Sequence, residues 1–362
     1  MKNWAFATIA KESLFNARKA RKQLLFEALR CRPMVERVLY VEPHKRIWQR
    51  QATRSGKALG FRVRQCNLVL PGERFSTVRA INRWFVYRQL CHELKSRWRW
   101  CFFFYHPYDA GLMTYMNRHG SVIFDWTEDW SAYYGDERLL RHQNAALKNA
   151  SAVITVSDTL GDMARKICGP QKQILILPNA TGLKVQGSLP CPEELRQIPG
   201  PRIGYIGQIG PWFDADLLIR LASAKPRWQF VLIGHREGNC CSIFRDLSNL
   251  HFLGQRPFDE IQALMMQCQV LIAPYYQDIS GDSSKLYDYL TSGLPIVSAD
   301  IETARRLNPH VRVASDTGSW VEAIQDALKE NDPQRAKARQ KESLQHCWDV
   351  RAEKLLAWLS DL

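Results

Sequence analysis

The stretch that most constrains this chain is the apolar run Gln269 to Tyr275 (QVLIAPY), followed after a short polar loop by Ser283 to Ser298 (SSKLYDYLTSGLPIVS). It reads as a buried strand, a loop, an amphipathic helix opened by two serines, a glycine stop and a second buried strand. That is one βαβ unit of a parallel sheet. The first turn of a helix leaves N–H groups unpaired and carries partial positive charge, so Ser283, Ser284 and Lys285 together favour a diphosphate. Asp288 follows the lysine by three residues on nearly the same face, where a carboxylate accepts hydrogen bonds from ribose hydroxyls. A capped helix on a parallel sheet, with no ligand, satisfies the same spacing.

At 362 residues the chain suits two domains, each with its own core. Short hydrophobic strands are expected over 4–9, 37–41, 62–67, 101–105, 122–124, 152–156 and 174–177, and again over 202–206, 229–233, 250–252, 270–273, 295–298 and 311–313, with helical patterns between most of them. Strands alternating with helices imply an α/β class with parallel, doubly wound sheets. Gly182 to Pro201 is rich in Gly and Pro, lacks periodicity and reads as a linker. The expected division is 1–185, 186–345 and a closing helical segment 346–362, with ligands held beyond the carboxyl ends of the strands where two Rossmann-like domains face each other across a cleft.

Charge is unevenly spread. Residues 1–180 hold 30 Lys and Arg against 14 Asp and Glu, and the rest of the chain is nearly balanced. Such a field draws the first half toward a polyanion: anionic lipid, a phosphorylated acceptor or nucleic acid. Basic clusters (Arg18, Lys19, Arg21, Lys22; Arg97, Arg99) alternate with Trp84, Phe85, Tyr87, Trp98, Trp100, Phe102, Phe103 and Phe104, a mixture suited to a membrane interface and also to a basic surface over an aromatic core. No run is long enough to cross a bilayer, and Met1 to Ala10 is followed too soon by Lys11, Glu12 and Arg18 for a secretory leader. A cytoplasmic protein, peripheral on the inner face of the membrane, is expected. Ten cysteines without metal spacing read as reduced, structural thiols.

The order RIGYIGQIGPWFDAD (Arg202 to Asp216), VLIG (Val231 to Gly234), HFLGQRPFDEI (His251 to Ile261), VLIAPY and SSKLYDYLTSGLPIVS resembles the donor half of GT-B glycosyltransferases, in the bacterial cell-surface and exopolysaccharide branch that includes membrane-associated glucuronosyltransferases. The resemblance implies transfer of a sugar from a nucleotide diphosphate donor to a lipid-linked or polysaccharide acceptor, with a UDP-sugar favoured over a GDP-sugar and no cofactor. It implies that Gly207, Gln208, Gly210 and Trp212 approach phosphate or sugar, that Gly254, Gln255 and Arg256 read the base, that Ser283, Ser284 and Lys285 hold the diphosphate, and that Tyr287 and Asp288 lie next to the ribose. It further implies that the closing helix Trp348 to Leu359 crosses back to the first domain, with the acceptor near Lys11 to Lys22.

Retaining relatives carry two glutamates separated by seven residues; here Asp288 takes the second place and Ser280 the first, which shifts the expectation to inversion. Inversion needs a base. In FDWTEDWSAYY (Phe124 to Tyr134) three carboxylates follow a strand among aromatics that shield them from water. Register with the family favours Glu128 over Asp129, with Asp125 structural and His106 third, although Glu128 and Asp129 equally suit the first turn of a helix. Asp214 and Asp216 form a D-A-D at a helix start, but no metal is expected, because Lys285 and the helix terminus supply the positive charge. A nucleotide-sugar epimerase of the same architecture and a polyanion-binding protein with a vestigial site are the alternatives; no nucleic-acid signature supports the latter.

Overall fold

The computed structural model describes residues 3–9, 21–46, 62–68, 75–130, 136–186, 189–237, 247–276 and 281–362. Contacts divide the chain into two compact units, one formed by Met1–Pro178 with Arg351–Leu362 and the other by Asn179–Val350. Lys11, Arg18, Lys19 and Ser280 lie outside the described residues.

The first unit is built on seven parallel strands, β1 (Trp4–Ile9), β2 (Val35–Arg46), β3 (Arg62–Leu68), β4 (Arg99–Phe104), β5 (Gly120–Trp126), β6 (Ala152–Thr155) and β7 (Gln173–Ile176), in the order β3-β2-β1-β4-β5-β6-β7. The order reverses between β1 and β4. Every residue of β1 is buried, because a parallel sheet is covered by helices on both faces. Phe6 of β1, Phe103 of β4 and Phe26 of the helix Arg21–Arg30 meet edge to face, with ring centroids 5.1 to 6.1 Å apart. The helix Trp348–Ser360 enters this unit through Arg351, whose Nε donates to the Pro178 carbonyl at 3.1 Å.

Two expectations about the basic and aromatic segments need correction. Trp98, Trp100, Phe102, Phe103 and Phe104 are core residues, since β4 lies at the centre of the sheet and burial of each ring is worth about 2 kcal/mol. Trp84 is the member of that aromatic set left exposed, at 45%. Arg21 and Lys22 also turn inward. Arg21 forms a two-pronged pair with the fully buried Asp125 (2.9 and 3.2 Å) and donates to the Leu177 carbonyl, while the Lys22 ammonium lies 5.4 Å from the Tyr105 ring centre. These two residues therefore hold the first unit together and are not presented to an acceptor.

The second unit has six parallel strands, β8 (Arg202–Ile206), β9 (Gln229–Ile233), β10 (Leu250–Gly254), β11 (Val270–Ala273), β12 (Ile296–Ala299) and β13 (Val311–Ala314), in the order β10-β9-β8-β11-β12-β13. Its order reverses between β8 and β11. These strands pair only through Ile203 with Val270 and Gly204 with Leu271, and then part. Beyond that point the Ile206 N–H, lacking a strand partner, donates to the Tyr289 hydroxyl at 2.8 Å. Within the expected linker, residues 189–201 are docked on the second unit: they contain the helix Glu193–Arg196, and Arg202 donates to the carbonyls of Leu195 and Ile198 at 2.8 and 2.9 Å. No helix among the described residues is long and apolar enough to cross a membrane.

Candidate donor site at a strand crossover

In an open parallel sheet a crevice forms where strand order reverses, because the connections on either side leave in opposite directions. In the second unit that position lies between the ends of β8 and β11, and the helix Ser284–Ser292 begins beside it. Gly207 follows β8 with its backbone at φ 156°. The Lys285 side chain runs directly over it, so that a Cβ on Gly207 would fall 1.8 Å from Lys285 Cε. The Lys285 ammonium is 5.5 Å from the Tyr275 ring centre and 5.9 Å from that of Tyr205. Two tyrosine faces thus steady a positive charge over the glycine turn.

The start of that helix differs from its neighbours. The helices beginning at Ala215, Thr317 and Pro333 are capped by the side chains of Asp214, Asp316 and Asp332, whereas Ser283 makes no side-chain cap. Its Oγ instead lies 3.2 Å from the Tyr275 hydroxyl, and its N–H donates to Thr303 Oγ1 at 2.9 Å. Among the described residues no side chain caps this first turn, which suits it to an external acceptor. Asp214, considered above for a metal, is committed as a cap to the Leu217 N–H at 2.8 Å.

Beneath this turn lies a network that local sequence did not reveal. The Asp282 side chain is inaccessible, and its Oδ1 accepts from Tyr287 Oη (2.9 Å), Thr303 Oγ1 (2.8 Å) and Arg306 Nη1 (2.9 Å). Oδ2 accepts the Asn179 N–H at 2.7 Å. Burial raises the Asp282 pKa, against the opposing pull of Arg306 and the hydrogen bonds. An aspartate immediately before a serine pair at a helix start is the only local signal of this role.

The other expected donor residues are spread around the same strand ends. Gln208 donates to Glu237 Oε2 at 2.7 Å, and Gly210 supports the half-buried Trp212, whose ring would lie 2.7 Å from a Cβ at that glycine. Gly254 receives the Gly234 N–H at 2.8 Å and turns at φ 73°. Gln255 is exposed, and Arg256 is ion-paired with Glu194 at 3.0 Å. Tyr287 is a correction: it is fully buried, with its hydroxyl bound by Asp282 and Arg306, so it supports the helix from below and does not face a ribose. Asp288 is half-buried and accepts from Thr181 Oγ1 at 2.6 Å. Burial lifts its carboxyl to about 6, against the lowering effects of Thr181, the Gly182 N–H and Lys285.

In the first unit Asp125 is the buried partner of Arg21, Glu128 is exposed, and the half-buried Asp129 accepts from Gln143 Nε2 at 3.1 Å. His106 Nδ1 accepts the Tyr108 N–H at 3.2 Å, which puts the proton of the neutral ring on Nε2. Such a ring meets an acceptor as a hydrogen-bond donor, and this weakens its standing as a base.

The chain is similar to known proteins in sequence and in fold. Residues 200–330 match the family described as "Glycosyl transferases group 1". Over 221 residues the chain is 24% identical to TuaH of Bacillus subtilis (strain 168), named as a teichuronic acid biosynthesis glycosyltransferase; the match spans 55% of this chain and only 56% of that relative. Among solved structures, Anabaena HepE in complex with UDP and glucose superposes with a TM-score of 0.74 at 15% identity, covering 99% of this chain and 100% of that one. Sucrose-phosphate synthase of Thermosynechococcus elongatus gives a TM-score of 0.75 at 15% identity, with 99% of each chain covered. The fold is that of the GT-B glycosyltransferases.

Proposed function

We propose that this protein is a glycosyltransferase of polysaccharide assembly. It takes a sugar from a nucleotide diphosphate and passes it to a lipid-linked or polysaccharide acceptor. The observation that carries this reading is Lys285, held over Gly207 at the sheet crossover beside an uncapped helix start. A diphosphate suits the lysine ammonium and the first-turn N–H groups, and its departure leaves charge that the same groups stabilise. HepE, of the same fold, was solved with UDP and glucose, which favours a UDP-sugar here. TuaH, whose name places it in teichuronic acid synthesis, favours a cell-surface glycan as product.

In this reading the transfer inverts configuration, with Glu128 or Asp129 as the base, and needs no metal because Lys285 and the helix start carry the positive charge. The basic first unit works at the inner surface of the membrane. Thermal shifts measured with UDP, GDP, ADP and dTDP, on the parent and on Lys285→Ala, test the proposal. Stabilisation by one nucleotide that disappears in the variant is the expected result. No stabilisation by any of the four would overturn it.

A further inference from the structure

The first unit carries a second concentration of positive charge, at the carboxyl end of β4. Arg79 and Arg83 stand one turn apart on the helix Ser76–Cys91. Arg83 Nη2 donates to the Tyr108 carbonyl at 3.3 Å, and its guanidinium lies so close to Gly111 that a Cβ there would sit 2.5 Å from Nη1. The Tyr108 ring, 41% exposed, meets the His142 ring at 4.8 Å, and Arg141 adjoins that histidine. Burial, then the charges of Arg83, Arg79 and Arg141, lower the His142 pKa. Asp136, whose charge opposes this lowering, also caps the helix Glu137–Asn149 through the Arg138 N–H at 2.8 Å.

The cluster is continuous with the acidic loop. His106 touches both Tyr108 and Trp130 with ring centroids 5.1 Å apart, and Gln143, next to His142, binds Asp129. Outward on the arginine-bearing helix, Ile81 (42%) and Trp84 (45%) are exposed, with the Arg88 guanidinium 5.8 Å from the Trp84 ring centre. Guanidinium groups match phosphate oxygens through paired N–H donors, a fit that scattered lysines do not provide.

We propose that Arg83, held beside Tyr108 and Gly111, together with Arg79 one turn before it on the same helix and Arg141 next to His142 in sequence, binds a phosphate or diphosphate group on the acceptor. This rests on the glycosyltransferase reading, which it extends by giving the acceptor a phosphate. The group is either the head of a lipid or part of a soluble molecule.

The test measures pyrophosphate binding by calorimetry on the full chain carrying Lys285→Ala, so that the donor site does not contribute. Arg79→Gln/Arg83→Gln/Arg141→Gln should weaken binding about tenfold or more. A charge-matched control on exposed residues of the same unit, Lys95→Gln/Arg118→Gln/Lys148→Gln, should weaken it by no more than about twofold. Equal losses in both, or none in the arginine variant, would overturn the proposal. Gly111→Ala keeps every charge but displaces the Arg83 guanidinium, and binding should fall several-fold; parental affinity there would remove Arg83 from the site.

The same variants are then compared on phosphatidylcholine vesicles with and without phosphatidic acid. A selective loss of vesicle binding in the arginine variant identifies a lipid phosphate, and a loss confined to pyrophosphate identifies a soluble one. UDP-induced stabilisation, measured with Lys285 intact, reports separately on the donor site. Its absence in the parent would defeat the donor reading, and its persistence in the arginine variant would show that the variant is folded.

Discussion

Lys285 crosses the backbone of Gly207 at a distance that leaves no room for a methyl group, with 1.8 Å between the side-chain Cε and the place a Cβ would occupy. The glycine therefore sets the path of the lysine. Gly207→Ala should drive the ammonium away from Tyr205 and Tyr275 and reproduce the loss of nucleotide binding expected of Lys285→Ala, although the lysine is still present. Overpacking at this position should also cost about 1–3 kcal/mol of stability. Thermal shifts with UDP on both variants check this; full UDP stabilisation in Gly207→Ala would show that the lysine path is unimportant.

Asp282 and Arg306 form the second relationship on which the helix start depends. Removing one member of a buried, hydrogen-bonded pair leaves the other without compensation, at a cost on the order of 3 kcal/mol. Asp282→Ala should therefore lower the melting temperature by several degrees, and Asp282→Ala/Arg306→Met should cost less than the sum of the two single changes. Denaturant unfolding of the four proteins measures the coupling. Strict additivity would mean that the pair contributes nothing as a pair.

The helix Ser284–Ser292 was readable because its signals are local: serines at its start, apolar positions along it, and Gly293 at φ 74° to end it. What lies under it was hidden for the opposite reason. Asp282 finds Asn179, Thr303 and Arg306 at separations of 103, 21 and 24 residues, which no local pattern encodes. The local pattern misplaces Tyr287 because the helix buries residues on more than one side: Gly293 at its end is packed against Ala336 and accepts from Arg339 of the helix Pro333–Gln345. Arg21 reads as a surface cation in the sequence because its partner Asp125 lies 104 residues away, in β5. Likewise, the β4 aromatics have the composition of an interface, and only their central place in the sheet order shows them to be core.

Asp288 gives the second unit a dependence on pH. Its carboxyl is lifted to about 6, above the ordinary carboxylate value, chiefly by burial. A raised pKa means that the folded state holds the proton more tightly than the unfolded chain, so this contribution to stability is complete below about pH 4 and lost as pH rises through about 6. Asp288→Asn removes the loss and keeps an acceptor for Thr181. The variant should match the parent near pH 4 and exceed it by up to about 3 kcal/mol at pH 8. Unfolding curves at the two pH values test the sign; a variant weaker than the parent at pH 8 would show that the ionised carboxylate is stabilising.

The acidic loop makes the sharpest test of mechanism, because its two carboxylates stand in different surroundings. Glu128 is exposed, whereas Asp129 is half-buried and bound by Gln143. Loss of the base should reduce turnover by about 100-fold or more while leaving donor affinity intact, because the base acts only as the acceptor hydroxyl attacks. Glu128→Gln should show that pattern if register with the glycosyltransferases is right. Asp129→Asn should show it if the position held by Gln143 matters more. His106→Gln should cost less than either, since Nδ1 already accepts the Tyr108 N–H and the ring offers a donor, not a base. Measuring kcat and UDP affinity side by side on the three variants separates these outcomes. Unchanged turnover in both carboxylate variants would move the base elsewhere in the chain.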